Sequence, residues 1–333
     1  MPISKLLSWT IIFLCNFYFH TSISYGTNLN DTIPNNILMY HRFGEIKYPS
    51  TNIKVEQLES HLTYLRDESF KFIQVKELLF PENLTIKTIS ITIDDAYLSF
   101  YKVGLPIFEK YNVPVTLFLN TENVGGNNYM SWSQLNDSLK RGVDIQNHTH
   151  SHTSLPKLTE AKVIEEIEKS QKIIKNNLNI TPNLIAYPFG ETSALVQKIV
   201  AQHFDAAFGQ HSGAFSIDQR YYIPRFPLNE NYGSIERIRD ASKSLPFQNI
   251  SIIPDDAYLV PPSKRFVIES PKGTQGINCY ISDFQGSLEK KISSLQNRLL
   301  IELDRLPVPG RLRFNCTKIE NGIYWFGYQY LVN

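Results

Sequence analysis

The sequence has no excess of either charge: 33 lysines and arginines stand against 32 aspartates and glutamates, and the basic residues are scattered among acidic ones. This balance excludes the electrostatic footprint of a nucleic-acid-binding protein and points to a neutral or weakly charged partner. An apolar run of membrane-spanning length is also missing. The stretch from Leu6 to about Phe19 falls short of the roughly 20 residues that a spanning helix needs. No internal repeat or low-complexity tract is present, which excludes a solenoid or a compositionally disordered chain. Cysteine is scarce, with three in 333 residues. Cys15 lies inside the N-terminal apolar stretch, which leaves Cys279 and Cys316 for the remainder.

Lys5 precedes the apolar stretch, and Ser22, Ser24 and Gly26 follow it ahead of a polar segment. This is the pattern of a secretory signal peptide over residues 1–24, which would make the protein exported: periplasmic, cell-surface or secreted. The alternative is an uncleaved anchor, the one arrangement in which a membrane becomes a partner. In an oxidising compartment Cys279 and Cys316 form a candidate disulfide; two buried free thiols are the other reading.

From residue 36 to about 240, short apolar β-branched runs alternate with amphipathic stretches. Strands are expected at 37–40, 88–93, 115–119, 143–145 and 184–187, and helices at 55–68, 100–111, 131–141, 159–176 and 193–203. Alternation of this kind gives an α/β fold with a mainly parallel sheet. A distorted (β/α) barrel is its natural closure, with the functional site at the C-terminal ends of the strands. Residues 244–263 contain Pro246, Pro254, Pro261 and Pro262 with little periodicity and read as a linker. Beyond it, 264–333 reads as a small all-β, sandwich-like domain. In its last strand Tyr324, Trp325, Phe326, Tyr328 and Tyr330 place aromatics on both faces, one set for the core and the other exposed or packed on the α/β domain, 36–243.

Three segments carry chemistry. Asp94 and Asp95 end the apolar run 88–93. Where a strand ends and the backbone turns, neighbouring carboxylates can converge, one binding a cation and the other accepting a proton; a plain turn or helix N-cap is the alternative. His148 and His152 are four apart, so on a helical turn their imidazoles share a face, and His150 points away. With Asp95 they make a ligand set for a divalent ion of the zinc type with an open position for water. The segment Tyr187-Pro188-Phe189-Gly190 ends another strand. Its rigid loop can turn backbone N–H groups toward a developing oxyanion, or be an ordinary strand-to-helix turn. Trp132 stands at the start of the helix expected at 131–141, where a core aromatic is one reading and a ligand contact the other.

In this order the segments resemble the polysaccharide deacetylases, the NodB-homology group or carbohydrate esterase family four. Thr92-Ile93-Asp94-Asp95 looks like the family's T-F-D-D, Asn147 to His152 is similar to N-H-T-x-x-H, and Pro188-Phe189-Gly190 matches part of the third motif. Ala186 stands where the family has an arginine two before the proline, and no histidine follows His211 to supply the family's late L-x-H. However, Leu38-Met39-Tyr40-His41 ends the first strand, and this resembles the circularly permuted subgroup that deacetylates poly-N-acetylglucosamine.

The resemblance implies a metal-dependent hydrolase that removes N-acetyl groups from an N-acetylglucosamine-containing polysaccharide. Asp95, His148 and His152 would hold the divalent metal, zinc first, with cobalt, nickel or iron as alternatives. Asp94 would be the base, His41 the acid and metal-bound water the nucleophile. Arg225 would replace the missing motif arginine, and Pro188, Phe189, Gly190 and Trp132 would meet substrate. The alternatives are a glycan-binding protein with a vestigial site and a metal amidase acting on a non-carbohydrate amide.

Overall fold

The computed structural model describes residues 33–333 apart from 81 and 83; the expected signal peptide, 1–24, and Cys15 lie outside them. The described residues open with β1 (Asn35–Tyr40) and a short parallel pair, β2 (Arg42–Phe43) and β3 (Asn52–Ile53). There follow β4 (Lys71–Phe72), β5 (Thr88–Asp94), β6 (Val115–Leu119), β7 (Asp144–Asn147), β8 (Leu184–Ala186), β9 (Ala206–Phe208) and β10 (Phe226–Pro227). Apart from β2 and β3, these strands form one eight-stranded sheet, ordered β10-β1-β5-β6-β7-β8-β9 with β4 also on β5, and every pairing is parallel. The central strands are buried on both faces, which is why β5 and β6 read as nearly continuous apolar runs.

Helices α1 (Val55–Asp67), α2 (Leu105–Lys110), α3 (Trp132–Lys140), α4 (Glu160–Leu178), α5 (Ala194–Val200) and α6 (Ile235–Lys243) cover the sheet. On α4, Val163, Ile167, Ile174 and Leu178 recur at helical spacing and are buried, as its amphipathic pattern requires. Ser131 and Gln134 form a reciprocal capping box that starts α3. The helix expected over 100–111 begins as a π-helical segment, Phe100–Gly104, before α2. A Cβ on Gly104 would lie 2.9 Å from the Phe43 ring, so the close approach of this segment to β2 depends on glycine.

The two edges of the sheet meet through one segment. Ile223 bridges to Phe208 of β9, while Phe226 and Pro227 pair with Leu38 and Met39 of β1. The sheet therefore curls into the expected distorted barrel, and residue 225 lies on the closing seam. Strands of two or three residues such as β4, β9 and β10 escape pattern reading because they are too short to show alternation.

The C-terminal part contains β11 (Ser251–Ile253), β12 (Tyr258–Leu259), β13 (Arg265–Glu269), β14 (Asn278–Asp283), β15 (Gly286–Ser287), β16 (Lys290–Leu295), β17 (Arg298–Leu303), β18 (Gly310–Ile319) and β19 (Ile323–Val332). They form two sheets, β11-β13-β17-β16 and β12-β19-β18-β14-β15. Phe266 of the first packs on Phe314 and Tyr330 of the second, with ring centroids 4.8 and 5.3 Å apart. The proline-rich segment 244–263 contributes β11 and β12 to these sheets. Cys279 and Cys316 are directly opposed on β14 and β18, and their sulfurs are bonded.

The last strand shows no inside-outside alternation: Phe326 to Val332 are all buried. One face of β19 meets the sandwich core and the other meets the barrel. Trp325 packs edge-on against Phe226, and its carbonyl accepts from Ala214 N–H at 3.0 Å. At Gly327 the contact is backbone on backbone, and a Cβ there would lie 1.6 Å from the Ser212 carbonyl oxygen. Gly327→Ala should therefore force β19 off the 209–214 loop at a cost of about 1–3 kcal/mol. A thermal midpoint lower by a few degrees in calorimetry is the expected result; an unchanged midpoint would show that this contact does not tie the two parts together.

Candidate active site

The C-terminal ends of β1, β5, β7 and β8 converge, and the chain leaves each in a backbone conformation suited to its task. Asp95 and Ala96 have φ of 74° and 56°. This left-handed pair swings the backbone so that adjacent carboxylates face one centre rather than opposite sides of the sheet. Thr149, His152 and Phe189 are also left-handed, with φ of 67°, 56° and 60°. Such residues each cost of the order of 1–3 kcal/mol and persist where surrounding contacts over-determine them.

Those contacts are visible. Asn147 Oδ1 accepts from Thr149 N–H at 2.7 Å, and the Glu166 carboxylate, on α4, accepts from the N–H groups of His150 and Ser151 at 3.1 and 2.8 Å. The expectation of a helical turn under His148 and His152 is thus corrected. The segment is a loop, and the two imidazoles are brought together by left-handed residues and by Glu166 rather than by helical periodicity. His150 bonds instead to Thr121 Oγ1 at 2.9 Å.

Asp95 Oδ1 lies 3.4 Å from His148 Nε2 and 3.2 Å from His152 Nε2. Ligand atoms placed 2.0–2.2 Å from a shared tetrahedral centre lie about 3.3–3.6 Å apart, so the spacing fits a cation of the zinc type. Among the described residues this is the one cluster with metal-ligand character, its three donor atoms within 4.8 Å of one another. The His148 ring donates through Nδ1 to Ala186 O at 2.7 Å, which fixes the tautomer and leaves Nε2 toward Asp95. Asn120, one residue past β6, donates to Asp95 Oδ1 at 3.2 Å.

Burial would raise the Asp95 carboxyl, but the His148 hydrogen bond and the charges of His41, His148 and His152 outweigh it and hold it well below the usual carboxylate range. Burial also pushes His152 down to about 4, helped by the charge of His148. For His148 burial acts downward too, yet the bond to Asp95 and the Asp94 charge carry it above its ordinary value.

Asp94 is held by a different partner. Arg225 donates to Oδ1 and Oδ2 from its two terminal nitrogens, both at 2.8 Å, in a bidentate fork. The same guanidinium donates to Thr92 Oγ1 at 3.1 Å and to Gly209 O at 2.8 Å. Arg225 is 0% and Asp94 1% exposed. Burial raises the Asp94 carboxyl, but Arg225 first and then His148 bring it below its usual value.

His41 follows Tyr40, which pairs with Ile93, so the register puts His41 level with Asp94 on the neighbouring strand. Its Nε2 accepts from Gln210 Nε2 at 3.1 Å, and burial lowers its proton affinity. Phe189 is 39% exposed and meets the His152 ring edge-on at 4.6 Å. The Gly190 and Glu191 N–H groups donate to Tyr187 O and Pro188 O within the turn, bonds that do not use the Phe189 N–H. Gly190 cannot be replaced without displacement, since a Cβ would sit 2.4 Å from Gln210 N. Trp132, the first residue of α3, is half-buried against the core.

Sequence reading missed Asn120, Gln210 and Gln329, and it named Thr92 in the first motif without assigning it the contact to Arg225. Asn120 directly follows β6 and Gln210 stands two residues past β9, and that strand-end position was the available signal. Gln329 donates to the carbonyls of Phe189 and Gly190, both at 3.1 Å, from 140 and 139 residues away, and nothing local marks it.

Removing one member of a buried ion pair strands the other. Arg225→Met should cost about 3–5 kcal/mol in urea unfolding, whereas Asp94→Leu combined with Arg225→Met should recover most of the loss, because apolar substitutes carry no desolvation penalty. A loss below about 1 kcal/mol for Arg225→Met, the range of an exposed pair, would refute the buried pairing.

Residues 82–204 match the polysaccharide deacetylase family model. A putative polysaccharide deacetylase of Bacillus subtilis is 26% identical over 191 residues, 56% of this chain and 68% of the relative. A poly-beta-1,6-N-acetyl-D-glucosamine N-deacetylase of Staphylococcus aureus is 26% identical over 219 residues, 59% of this chain and 74% of the relative. Among solved structures, a Streptococcus pyogenes deacetylase in complex with acetate superposes with a TM-score of 0.59 at 22% identity, covering 64% of this chain and 99% of its own. A Bacillus cereus polysaccharide deacetylase gives 0.57 at 19%, covering 63% and 69%. With its parallel barrel and the three motif segments at the strand ends, the chain carries a polysaccharide deacetylase domain of the NodB-homology type.

Proposed function

We propose that the chain is a metal-dependent hydrolase that removes N-acetyl groups from an N-acetylglucosamine-containing polysaccharide. The observation that carries this is the division between two adjacent buried carboxylates: Asp95 faces two imidazoles, and Asp94 faces Arg225. Asp95, His148 and His152 would hold a divalent cation, with zinc as the first candidate. Bound there, the ion supplies Lewis acidity that polarises the acetamide carbonyl and lowers the pKa of water.

The chain's own residues do the rest. Asp94, kept ionised and oriented by the Arg225 fork, retains lone pairs that the two bonds do not use and accepts the proton of the attacking water. The Phe189 N–H donates to the carbonyl oxygen as negative charge develops on it. His41, level with Asp94 on the opposite side of the β1–β5 pair, delivers a proton to the departing sugar nitrogen; its depressed proton affinity makes its protonated form a willing donor. Gln210 holds the neutral ring through Nε2, a bond that gives way when Nε2 takes up the proton to be delivered. Acetate and a free amine on the sugar are the products. The bonded Cys279 and Cys316 support an oxidising compartment and thus an exported protein.

The test is acetate release from N-acetylglucosamine oligomers and poly-β-1,6-N-acetylglucosamine by protein stripped with chelator and reloaded with zinc or cobalt. Metal-dependent release is expected; none from any acetylated glycan by folded, metal-loaded protein would overturn the reading. Asp94→Asn should lower turnover by about 10²–10⁴-fold, the size of a general-base contribution, with metal content unchanged. His148→Ala should lose the metal itself. Equal metal loss in both variants would show the roles to be misassigned.

A further inference from the structure

A groove of about 870 Å³ opens beside His41 and Gln210 and runs between the barrel and the outer face of the five-stranded sheet. That volume lies within the range of ligand sites. On the sheet side, the period-two alternation of β18 points Arg311, Arg313, Asn315 and Thr317 into the groove while Leu312, Phe314 and Cys316 fill the sandwich core. Lys290 adds to that wall, and Arg237 faces it from the barrel.

The wall residues include four cations, Arg237, Lys290, Arg311 and Arg313, and no aspartate or glutamate. None of the four takes part in an ion pair among the described residues. Their polar partners are neutral: Ser212 Oγ for Arg237 at 2.7 Å, Gln210 Oε1 for Arg311 at 3.4 Å and Gln329 Oε1 for Arg313 at 3.2 Å. Asp240, whose charge acts on Arg237, lies outside the groove wall, and Arg313 meets the like charge of Arg311. A second observation is independent of charge. His211 lines the same groove at 2% exposure, and neither ring nitrogen has a partner; the buried Nε of Arg237 also lacks one.

Half-buried cations facing one another without counter-charge are costly, as are buried polar atoms without hydrogen bonds. A cleft lined by one sign of charge concentrates ligands of the other sign, and guanidinium forks match planar oxyanions. Tyr232 and Tyr280, 62% and 55% exposed along the same walls, offer ring faces to sugars. We infer that this groove binds an anionic glycan, one that carries carboxylate or sulfate groups on sugars near the N-acetylated residue presented to His41. The inference rests on the deacetylase reading only for which sugar reaches the site; occupancy of the groove can be measured without turnover.

Binding of three hexasaccharides to the full exported chain is measured by titration calorimetry at about 50 mM and about 300 mM salt, conditions that differ in charge screening. The probes are an N-acetylglucosamine hexamer, a hexamer alternating N-acetylglucosamine with glucuronic acid, and a 6-sulfated N-acetylglucosamine hexamer. At least one anionic hexamer should bind about tenfold or more tightly than the neutral one at low salt, with the preference shrinking at high salt. Lys290→Gln combined with Arg311→Gln should bring the ratio of anionic to neutral affinity close to one. Equal affinities, no binding of either anionic hexamer, or a preference untouched by salt and by the double variant would overturn the inference. Acetate release from the neutral hexamer with no anionic preference would sink this inference alone. Anionic preference without acetate from any glycan would sink the deacetylase reading alone.

Discussion

The arrangement at the strand ends depends on one buried ion pair. Arg225 enters on the short segment that joins β9 to β1, and its guanidinium reaches past β1 to the carboxylate that ends β5. Burying both charges is expensive, and the expense is offset only because four of its hydrogen bonds are accounted for: two to Asp94, one to Thr92 and one to Gly209. Every one of those acceptors sits on or beside a barrel strand. The pair therefore locks the seam of the barrel and at the same time gives Asp94 a partner other than the imidazoles that face Asp95. Two chemically identical neighbours acquire different environments through one distant residue.

Much of this centre was legible because strand ends in α/β folds collect functional residues, and the apolar runs before Asp94, His148 and Tyr187 marked where those ends fall. Arg225 was legible only through family resemblance, since a residue 131 positions from Asp94 leaves no local trace of its partner. The loop under His148 was misread as helical because a four-residue spacing fits both a helical turn and a loop with left-handed residues at Thr149 and His152. Periodicity cannot separate these; the Glu166 carboxylate that selects the loop arrives from α4. Overall charge is silent in another way. A chain with 33 basic and 32 acidic residues is neutral on average, yet the alternation of β18 gathers cations on one face, and a sum over the sequence cannot register that.

The sandwich is part of the site's construction rather than an appendage to it. Gln329 of β19 grips both carbonyls of the Phe189-Gly190 turn, Tyr222 adds its hydroxyl to Gly190 O, and the same hydroxyl also reaches the carbonyl of Gln329. A left-handed phenylalanine is not held by its own preferences; it is held because the turn's acceptors are satisfied from the sheet beneath. Arg313 extends this chain of contacts to the groove by donating to Gln329.

The same sheet touches the opposite side of the centre through Arg311, which donates to Gln210, the residue that donates in turn to His41. One strand, β18, thus leads through a single intervening glutamine to each flank of the site. A glycan charge that engages Arg311 or Arg313 would be felt at the turn that presents the Phe189 N–H and at the ring of His41 without touching either. Groove occupancy and the positioning of these two groups are therefore one packing problem, and the barrel alone cannot supply its solution.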